Sequence, residues 1–182
     1  MIKVGEFAPD FTAIAVVGQA FETLSLTDFR GRYVILCFYP ADFTFVCPTE
    51  VMAFSDRAQE FAELNTQILG VSTDSQFCHL AWVQTERSQG GVGELRYPLI
   101  SDSNHQISCA YGVLNHASGM AERALFIIDP QGRVQYLTIN NLGFGRSITE
   151  THRTLSAIQQ IQNFPAQFCP VDWQPGDPTI TL

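Results

Sequence analysis

Residues 33–50 read YVILCFYPADFTFVCPTE, and this stretch decides the fold. Residues 33–39 form an unbroken apolar run of strand length, rich in β-branched and aromatic side chains. A run without polar alternation reads as a central strand buried on both faces. Pro40 ends it. From Pro48 onward the period changes. Val51, Phe54, Ala58, Phe61 and Leu64 recur at three- and four-residue steps, which is one face of a helix running to about Leu64. Strand, short loop and helix in succession open a β-α-β unit, and so an α/β domain.

The flanking sequence repeats the alternation. Residues 67–72 (QILGVS) read as a second strand. Asp74 or Ser75 suits the cap of the next helix, which is expected to run to about Ser88 and stop at Gly90-Gly91. Residues 97–101 form a short strand. Residues 124–129 and 134–140 are β runs joined by Asp129-Pro130-Gln131-Gly132, good chemistry for a hairpin turn. Ser147-Ile148-Thr149-Glu150 is a capping box that opens a helix to about Asn163, with Ile148, Leu155, Ile158 and Ile161 on its apolar side. Pro165, Pro170, Pro175 and Pro178 then exclude helix and central strand. The expected organisation is one α/β domain over residues 1–163 and an irregular tail over residues 164–182.

A chain of 182 residues has the length of one domain. With 46% hydrophobic and 15% charged residues it can offset its ordering entropy, which excludes a disordered chain. A net charge of −8 repels phosphate backbones and anionic lipid, so neither nucleic acid nor membrane is an expected partner. No apolar run approaches the ~20 residues of a membrane span. The first ten residues do not read as a secretory signal. Five cysteines make an odd count, which fits a reducing compartment such as the cytoplasm better than a disulfide framework. No pair stands at C-x-x-C spacing, and the adjacent Cys78 and His79 do not suit a zinc site. No dinucleotide fingerprint, haem motif or P-loop is present, so neither metal nor cofactor is expected. His79, His105, His116 and His152 are scattered and read as structural or surface residues.

The question is then which cysteine reacts. Cys37 lies inside the apolar strand and reads as inert core. Cys78 and Cys109 fall in helical or near-helical stretches without a cationic partner. Cys47 differs. Proline is favoured in the first helical turn, so Pro48 sets Cys47 at or next to the N-cap. There, backbone N–H groups and the positive end of the helix dipole favour a thiolate. A free thiol is only about 3% ionised at pH 7, so full ionisation gains roughly 30-fold, or ~2 kcal/mol. Enzymes accelerate reactions far more than that. Such a site must also orient and polarise its electrophile through fixed donors and a cation. Thr44 and the arginines are available for that work. On local pattern alone, Cys47 could also be a half-buried structural cysteine. Cys169, between Phe168 and Pro170, is a reachable thiol or an incidental surface one.

FYPADFTFVCPTE resembles the active-site segment of the typical 2-Cys peroxiredoxins. The signature P-x-x-x-T-x-x-C of that family is met by Pro40, Thr44 and Cys47. The similarity extends through GVSTDSQFCHLAW (70–82), the glycine loop at 90–93, RALFIID (123–129), GRS (145–147) and CPVDWQPGD (169–177), and so covers nearly the whole chain. It implies a thioredoxin-like fold with peroxiredoxin insertions, and a thiol-dependent peroxidase. Under the resemblance Cys47 is the peroxidatic cysteine, Thr44 hydrogen-bonds the peroxide, and Pro40 shields the thiolate from water. Arg123 stabilises thiolate and developing charge, with Glu50 and Arg146 orienting it, and Cys169 is the resolving cysteine. A Cys47 sulfenic acid formed on hydrogen peroxide or an organic hydroperoxide would condense with Cys169 of the partner subunit. A thioredoxin-like dithiol protein would reduce the disulfide. The resemblance therefore implies an obligate homodimer, commonly assembled into a decameric ring. It also implies that the helix start at Cys47 unwinds so that the sulfurs can meet. Overoxidation-sensitive members pair the glycine loop with a C-terminal Tyr-Phe helix. The loop is present here without a Tyr-Phe pair, which implies resistance to sulfinic overoxidation. Two other readings stand beside this one. A general disulfide oxidoreductase would carry a second cysteine where Pro48, Thr49 and Glu50 follow Cys47. A holdase chaperone built from assembled rings is compatible with the peroxidase.

Overall fold

The apolar run that opens the sequence argument is the centre of a seven-stranded sheet in the computed structural model, which describes residues 2–181. The strands are β1 (Thr12–Val17), β2 (Ala20–Ser25), β3 (Tyr33–Phe38), β4 (Thr66–Ser72), β5 (Leu99–Ser101), β6 (Leu114–Asn115), β7 (Met120–Ala121), β8 (Arg123–Ile128) and β9 (Val134–Asn140). The sheet runs β2-β1-β5-β4-β3-β8-β9, and β6 pairs with β7 in a separate ribbon. β3, β4 and β5 are parallel neighbours, whereas β8 lies antiparallel to both β3 and β9. Every residue of β3 and of β8 is buried, as the unbroken apolar runs require.

Side chains alternate across the sheet. Val34, Leu36 and Phe38 join one core with Leu69, Val71, Phe126 and Tyr111. The Tyr111 and Phe126 rings meet edge-on at 5.0 Å, a favoured aromatic geometry. Ile35 and Cys37 consequently face the other side.

One helix was expected between Pro48 and Leu64; the chain forms two, α1 (Cys47–Asp56) and α2 (Ala58–Glu63), broken at Arg57. Arg57 leaves helical geometry at φ −104°, and its guanidinium grips Glu60 at 2.7 Å. Phe54 and Phe61, on either side of the break, still pack with ring centroids 6.0 Å apart. The apolar period survives the interruption, so periodicity does not reveal it. Likewise α3 (Gln76–Gln84) ends before Ser88, and a separate single 3-10 turn, Arg87–Gln89, carries the chain into left-handed Gly90. The Ser75 side chain caps α3 by accepting from the Cys78 N–H at 3.3 Å. The β1–β2 hairpin, the β6–β7 ribbon and the short α4 (Gln106–Ala110) have no counterpart in the sequence reading.

The chain divides into two units, Met1–Arg146 and Ser147–Leu182. The second opens with α5 (Ile148–Asn163), and half of the expected capping box forms: Ser147 Oγ accepts from the Glu150 N–H at 3.1 Å, while the Glu150 carboxylate is taken by Arg153 and Thr154 instead of reaching back to Ser147. The expected boundary after residue 163 falls inside this unit. There Arg153 on α5 donates to the Trp173 carbonyl at 3.1 Å, and Gln160 donates to Gln167 at 2.7 Å. Two-residue strands β10 (Gln167–Phe168) and β11 (Ile180–Thr181) pair antiparallel within the tail. No helix among the described residues is long and apolar enough to cross a membrane.

Gly70, in β4, is where close packing at the sheet centre is most sensitive. A Cβ there would stand 2.7 Å from Leu99 Cδ2 and 3.2 Å from Tyr97 Cε2. Gly70→Ala is expected to destabilise the fold by about 1–3 kcal/mol through overpacking, read as a lowered midpoint in urea unfolding at fixed protein concentration. An unchanged midpoint would contradict this packing.

Candidate active site

β3 ends at the loop bearing Pro40, and the loop delivers Cys47 as the first residue of α1, after Val46 at the N-cap and before Pro48. The first-turn N–H groups of a helix have no partners within it. Cys47 sits at that positive end, and its residue is only 1% exposed.

Arg123 opens β8. Because β8 pairs Leu125 with Cys37 of β3, Arg123 stands level with the end of β3, beside the loop. Two of its N–H groups reach the Cys47 sulfur, from Nη1 at 3.8 Å and from Nη2 at 3.7 Å. Nη2 also donates to the Leu142 carbonyl at 3.0 Å. Arg123 is 2% exposed, so its charge acts with little screening by water.

A buried guanidinium needs a counter-charge. Glu50, three residues along α1, supplies it through an ion pair with Arg123 Nη1. The same carboxylate is held by Arg146. Nε donates to Oε1 at 2.8 Å, Nη2 to Oε2 at 3.0 Å, and the backbone N–H to Oε1 at 2.6 Å. Arg146 Nη1 bonds the carbonyls of Phe38 and Ala124, so one side chain ties α1 to β3 and β8. Burial alone would raise the Glu50 pKa. The bonds and charge of Arg146, with the charge of Arg123, outweigh it and hold the carboxyl below its ordinary value. Gly145 lets the backbone approach this assembly, since a Cβ there would stand 3.3 Å from Glu50 Cγ.

The remaining expected residues are distributed as follows. Pro40 is buried at the end of β3. Thr44 is exposed, and its hydroxyl donates to the Ala41 carbonyl at 2.9 Å. Its one proton is thereby used, which leaves its lone pairs free to accept. Cys169 lies in the second unit, partly buried, with its sulfur 3.9 Å from the Ala157 carbonyl. Burial pushes its thiol up, against the opposing charge of Arg153. Cys37 is core, and burial pushes its thiol up to about 11. Cys78 lies by Asp42 and Asp74; burial and those carboxylates push it up to about 12. Cys109 is exposed, and all five cysteines are free. The structure thus brings Cys47, Arg123, Glu50 and Arg146 together in one unit.

Three buried residues went unread as part of the loop's support: Tyr39, Asp42 and His79. Tyr39 Oη donates to Asp42 Oδ1 at 2.8 Å, and His79 Nδ1 lies 2.7 Å from Asp42 Oδ2. The available signal was the placing of Asp42 and His79 in otherwise apolar segments, where a polar residue needs a partner.

Comparison with known proteins gives a consistent result. Residues 4–137 match the model of the AhpC/TSA family. The chloroplastic 2-cysteine peroxiredoxin of Chattonella marina var. antiqua is 58% identical over 98% of this chain and 92% of its own length. The chloroplastic 2-Cys peroxiredoxin BAS1 of Arabidopsis thaliana is 59% identical over 97% of this chain and 67% of its own length. The reduced 2-Cys peroxiredoxin of Plasmodium vivax superposes with a TM-score of 0.93 at 44% identity, covering 97% of this chain and 91% of that one.

The depressed Glu50 pKa makes a signed prediction. Such a carboxylate contributes stability above its unfolded pKa of about 4.3, and the contribution disappears as pH falls through the lower folded value. Glu50→Gln should therefore melt below the wild type at neutral pH, with the gap closing in acid below about pH 4. A gap in melting temperature that stays constant with pH would contradict the ion-pair account.

Proposed function

The chain belongs to the AhpC/TSA family and is a 2-Cys peroxiredoxin, a thiol-dependent peroxidase, and from that premise we propose that Cys47 is its peroxidatic cysteine and Cys169 its resolving cysteine. The observation that carries this reading is the pair of Arg123 N–H groups on the buried Cys47 sulfur at the mouth of α1. The Cys47 thiolate attacks one oxygen of a hydroperoxide. The O–O bond breaks, Cys47 becomes a sulfenic acid, and the departing oxygen takes a proton to leave as water or alcohol. Negative charge moves from sulfur to that oxygen as the bond breaks. Arg123 is fixed before the reaction and stabilises the charge without reorganising; one such donor is typically worth 10²–10³ in rate. Its Nε has no partner among the described residues, leaving a further buried donor in the same side chain. Thr44 accepts from the peroxide O–H, and Pro40 keeps water from the thiolate.

The Cys169 thiol of a second subunit then displaces water from the sulfenic acid, forming the intersubunit disulfide. A thioredoxin-like protein returns both cysteines to thiols by exchange. The homodimer is supported by the sheet itself. β9 is an edge strand of seven residues, most of them half-buried, and such an edge is a template for pairing with another chain. Further assembly to a decamer is supported by exposed aromatic side chains on the loop, on α3 and on β2. Phe45 is 94% exposed and Phe77 66%, with Phe21 packed edge-on against Phe77 at 5.5 Å. Residues 164–182 serve as the segment that presents Cys169. Five unpaired cysteines suit a reducing compartment, here read as the cytoplasm.

Stopped-flow peroxide reduction with cysteine variants tests the assignment. Cys47→Ser should abolish turnover. Cys169→Ser should keep a single turnover and lose recycling by thioredoxin. Oxidised wild type should migrate as a covalent dimer without reductant; a monomer would refute the intersubunit pairing. Because burial raises the Cys169 thiol, the disulfide-forming step should accelerate as pH rises above neutral, since more thiolate becomes available.

A further inference from the structure

The loop between β3 and α1 contains a backbone conformation that its residue does not favour. Phe43 has φ +52°, in the left-handed region where a bulky side chain is an outlier. Asp42 and Phe43 form the middle of a turn, closed by the Thr44 hydroxyl on the Ala41 carbonyl. A positive φ at the third position of a turn calls for glycine or asparagine. Conformations of this kind persist only where the surroundings over-determine them.

The surroundings do so at Asp42. Its backbone N–H donates to Asp74 Oδ2 at 2.9 Å. Asp74 is itself fixed by the Ser72 hydroxyl at 2.6 Å, and its own carbonyl accepts from Ser101 Oγ at 2.7 Å. The Asp42 carboxylate takes the Tyr39 phenol on one oxygen and faces His79 with the other. His79 has no exposure to solvent, and its Nε2 lies 3.2 Å from the Ile100 carbonyl. A carbonyl only accepts, so Nε2 carries a hydrogen. A proton must then also lie between His79 Nδ1 and Asp42 Oδ2, which makes that bond charge-assisted or acid-donated, and strong in either case. Burial, and then the charge of Asp42, push the Tyr39 phenol well above its ordinary value, so it remains a donor. The Cys78 sulfur is within 4.8 Å of carboxylate oxygens of Asp42 and Asp74, and being held protonated, it adds an S–H to the same cluster.

We propose that Asp42 is a positioning residue of the peroxidase. Clamped by Tyr39, His79 and Asp74, it forces the Phe43 turn that sets Thr44, and it is the fixed pivot beyond which the loop opens. This inference rests on the reading of Cys47 and Thr44 given above. While the clamp holds, the loop that carries Thr44 into α1 keeps one arrangement and the peroxide step is fast. The unfavourable turn at Phe43 makes the closed loop less stable than it would be with glycine there. Opening releases that turn, which favours exposure of the Cys47 sulfenic acid to the partner's Cys169.

Two pairs of variants test the clamp. Asp42→Ala removes it. Asp42→Asn preserves it, since the amide oxygen can accept from Tyr39 while its N–H₂ donates to His79 Nδ1. The second-order rate of Cys47 oxidation by hydrogen peroxide should fall about tenfold or more in Asp42→Ala, because small misplacements of a reacting pair are costly. It should return to within about twofold of wild type in Asp42→Asn. A folded Asp42→Ala with the wild-type rate, or an Asp42→Asn equally impaired, overturns the proposal. The second pair isolates the backbone. Phe43→Ala and Phe43→Gly both lose the ring, and only glycine relieves the positive φ. The two should form sulfenic acid at equal rates, whereas the intersubunit disulfide should form several-fold more slowly in Phe43→Gly, on the order of fivefold. Equal or inverted disulfide rates overturn the proposal even if Asp42→Ala fails to fold. Cys47→Ser measured in parallel separates the two levels. Continued peroxide turnover in that variant would refute the assignment of Cys47 itself, whereas an inactive Cys47→Ser beside wild-type rates for Asp42→Ala refutes only the clamp.

Discussion

Two arginines share one buried carboxylate, and the rest of the site follows from that arrangement. Glu50 holds Arg123 from one side and Arg146 from the other, with all three residues nearly removed from water. Burying charges is expensive unless they are paired and hydrogen-bonded. Here the cost is offset by many bonds, and what remains is geometric. With Glu50 and the Leu142 carbonyl occupied, Arg123 has little freedom to leave the Cys47 sulfur. Arg146 fastens α1 to β3 and β8 through backbone carbonyls, so the sulfur and the guanidinium belong to one rigid frame.

The sheet explains why these residues meet. A parallel strand buried on both faces must deliver the chain to its carboxyl end, and there a helix with proline in its first turn turns its positive end toward the Cys47 sulfur. The antiparallel neighbour β8 begins at that same level, so its first residue is the one placed to meet the loop. Placement of the Cys47 sulfur and the Arg123 guanidinium is thus carried by β3, α1 and β8. In the proposal made above, Asp42 is the fixed point of the loop between β3 and α1, and the segment from Phe43 to Val46 is the part that reorganises.

Much of this was legible in the sequence. The unbroken apolar run gave β3, proline after cysteine gave the helix start, and the residue pattern around them gave the family; the structure sets Glu50 between Arg123 and Arg146. What was lost has physical reasons. The break at Arg57 leaves the apolar period intact, because Phe54 and Phe61 remain in register for the same contact. The β1–β2 hairpin lies at one side of the sheet, with its outer strand largely exposed, and so lacks a continuous apolar signature. Tyr39 and Asp42 are three residues apart, but His79 is 37 residues from Asp42 and meets it only when α3 packs near the loop, so no local spacing announces the cluster. The positive φ of Phe43 is invisible for the same reason: it is imposed from outside the residue that bears it.

The central claim is that a fixed guanidinium on the Cys47 sulfur drives the peroxide step. The most direct measurement is the second-order rate of Cys47 oxidation by hydrogen peroxide at pH 7 in Arg123→Met, a variant that keeps much of the side chain's length and removes its charge and donors. A loss of about 10²–10³ relative to wild type, in a protein whose melting curve shows it folded, is the result expected. A rate within a few-fold of wild type would show that the thiol owes its reactivity to something other than Arg123.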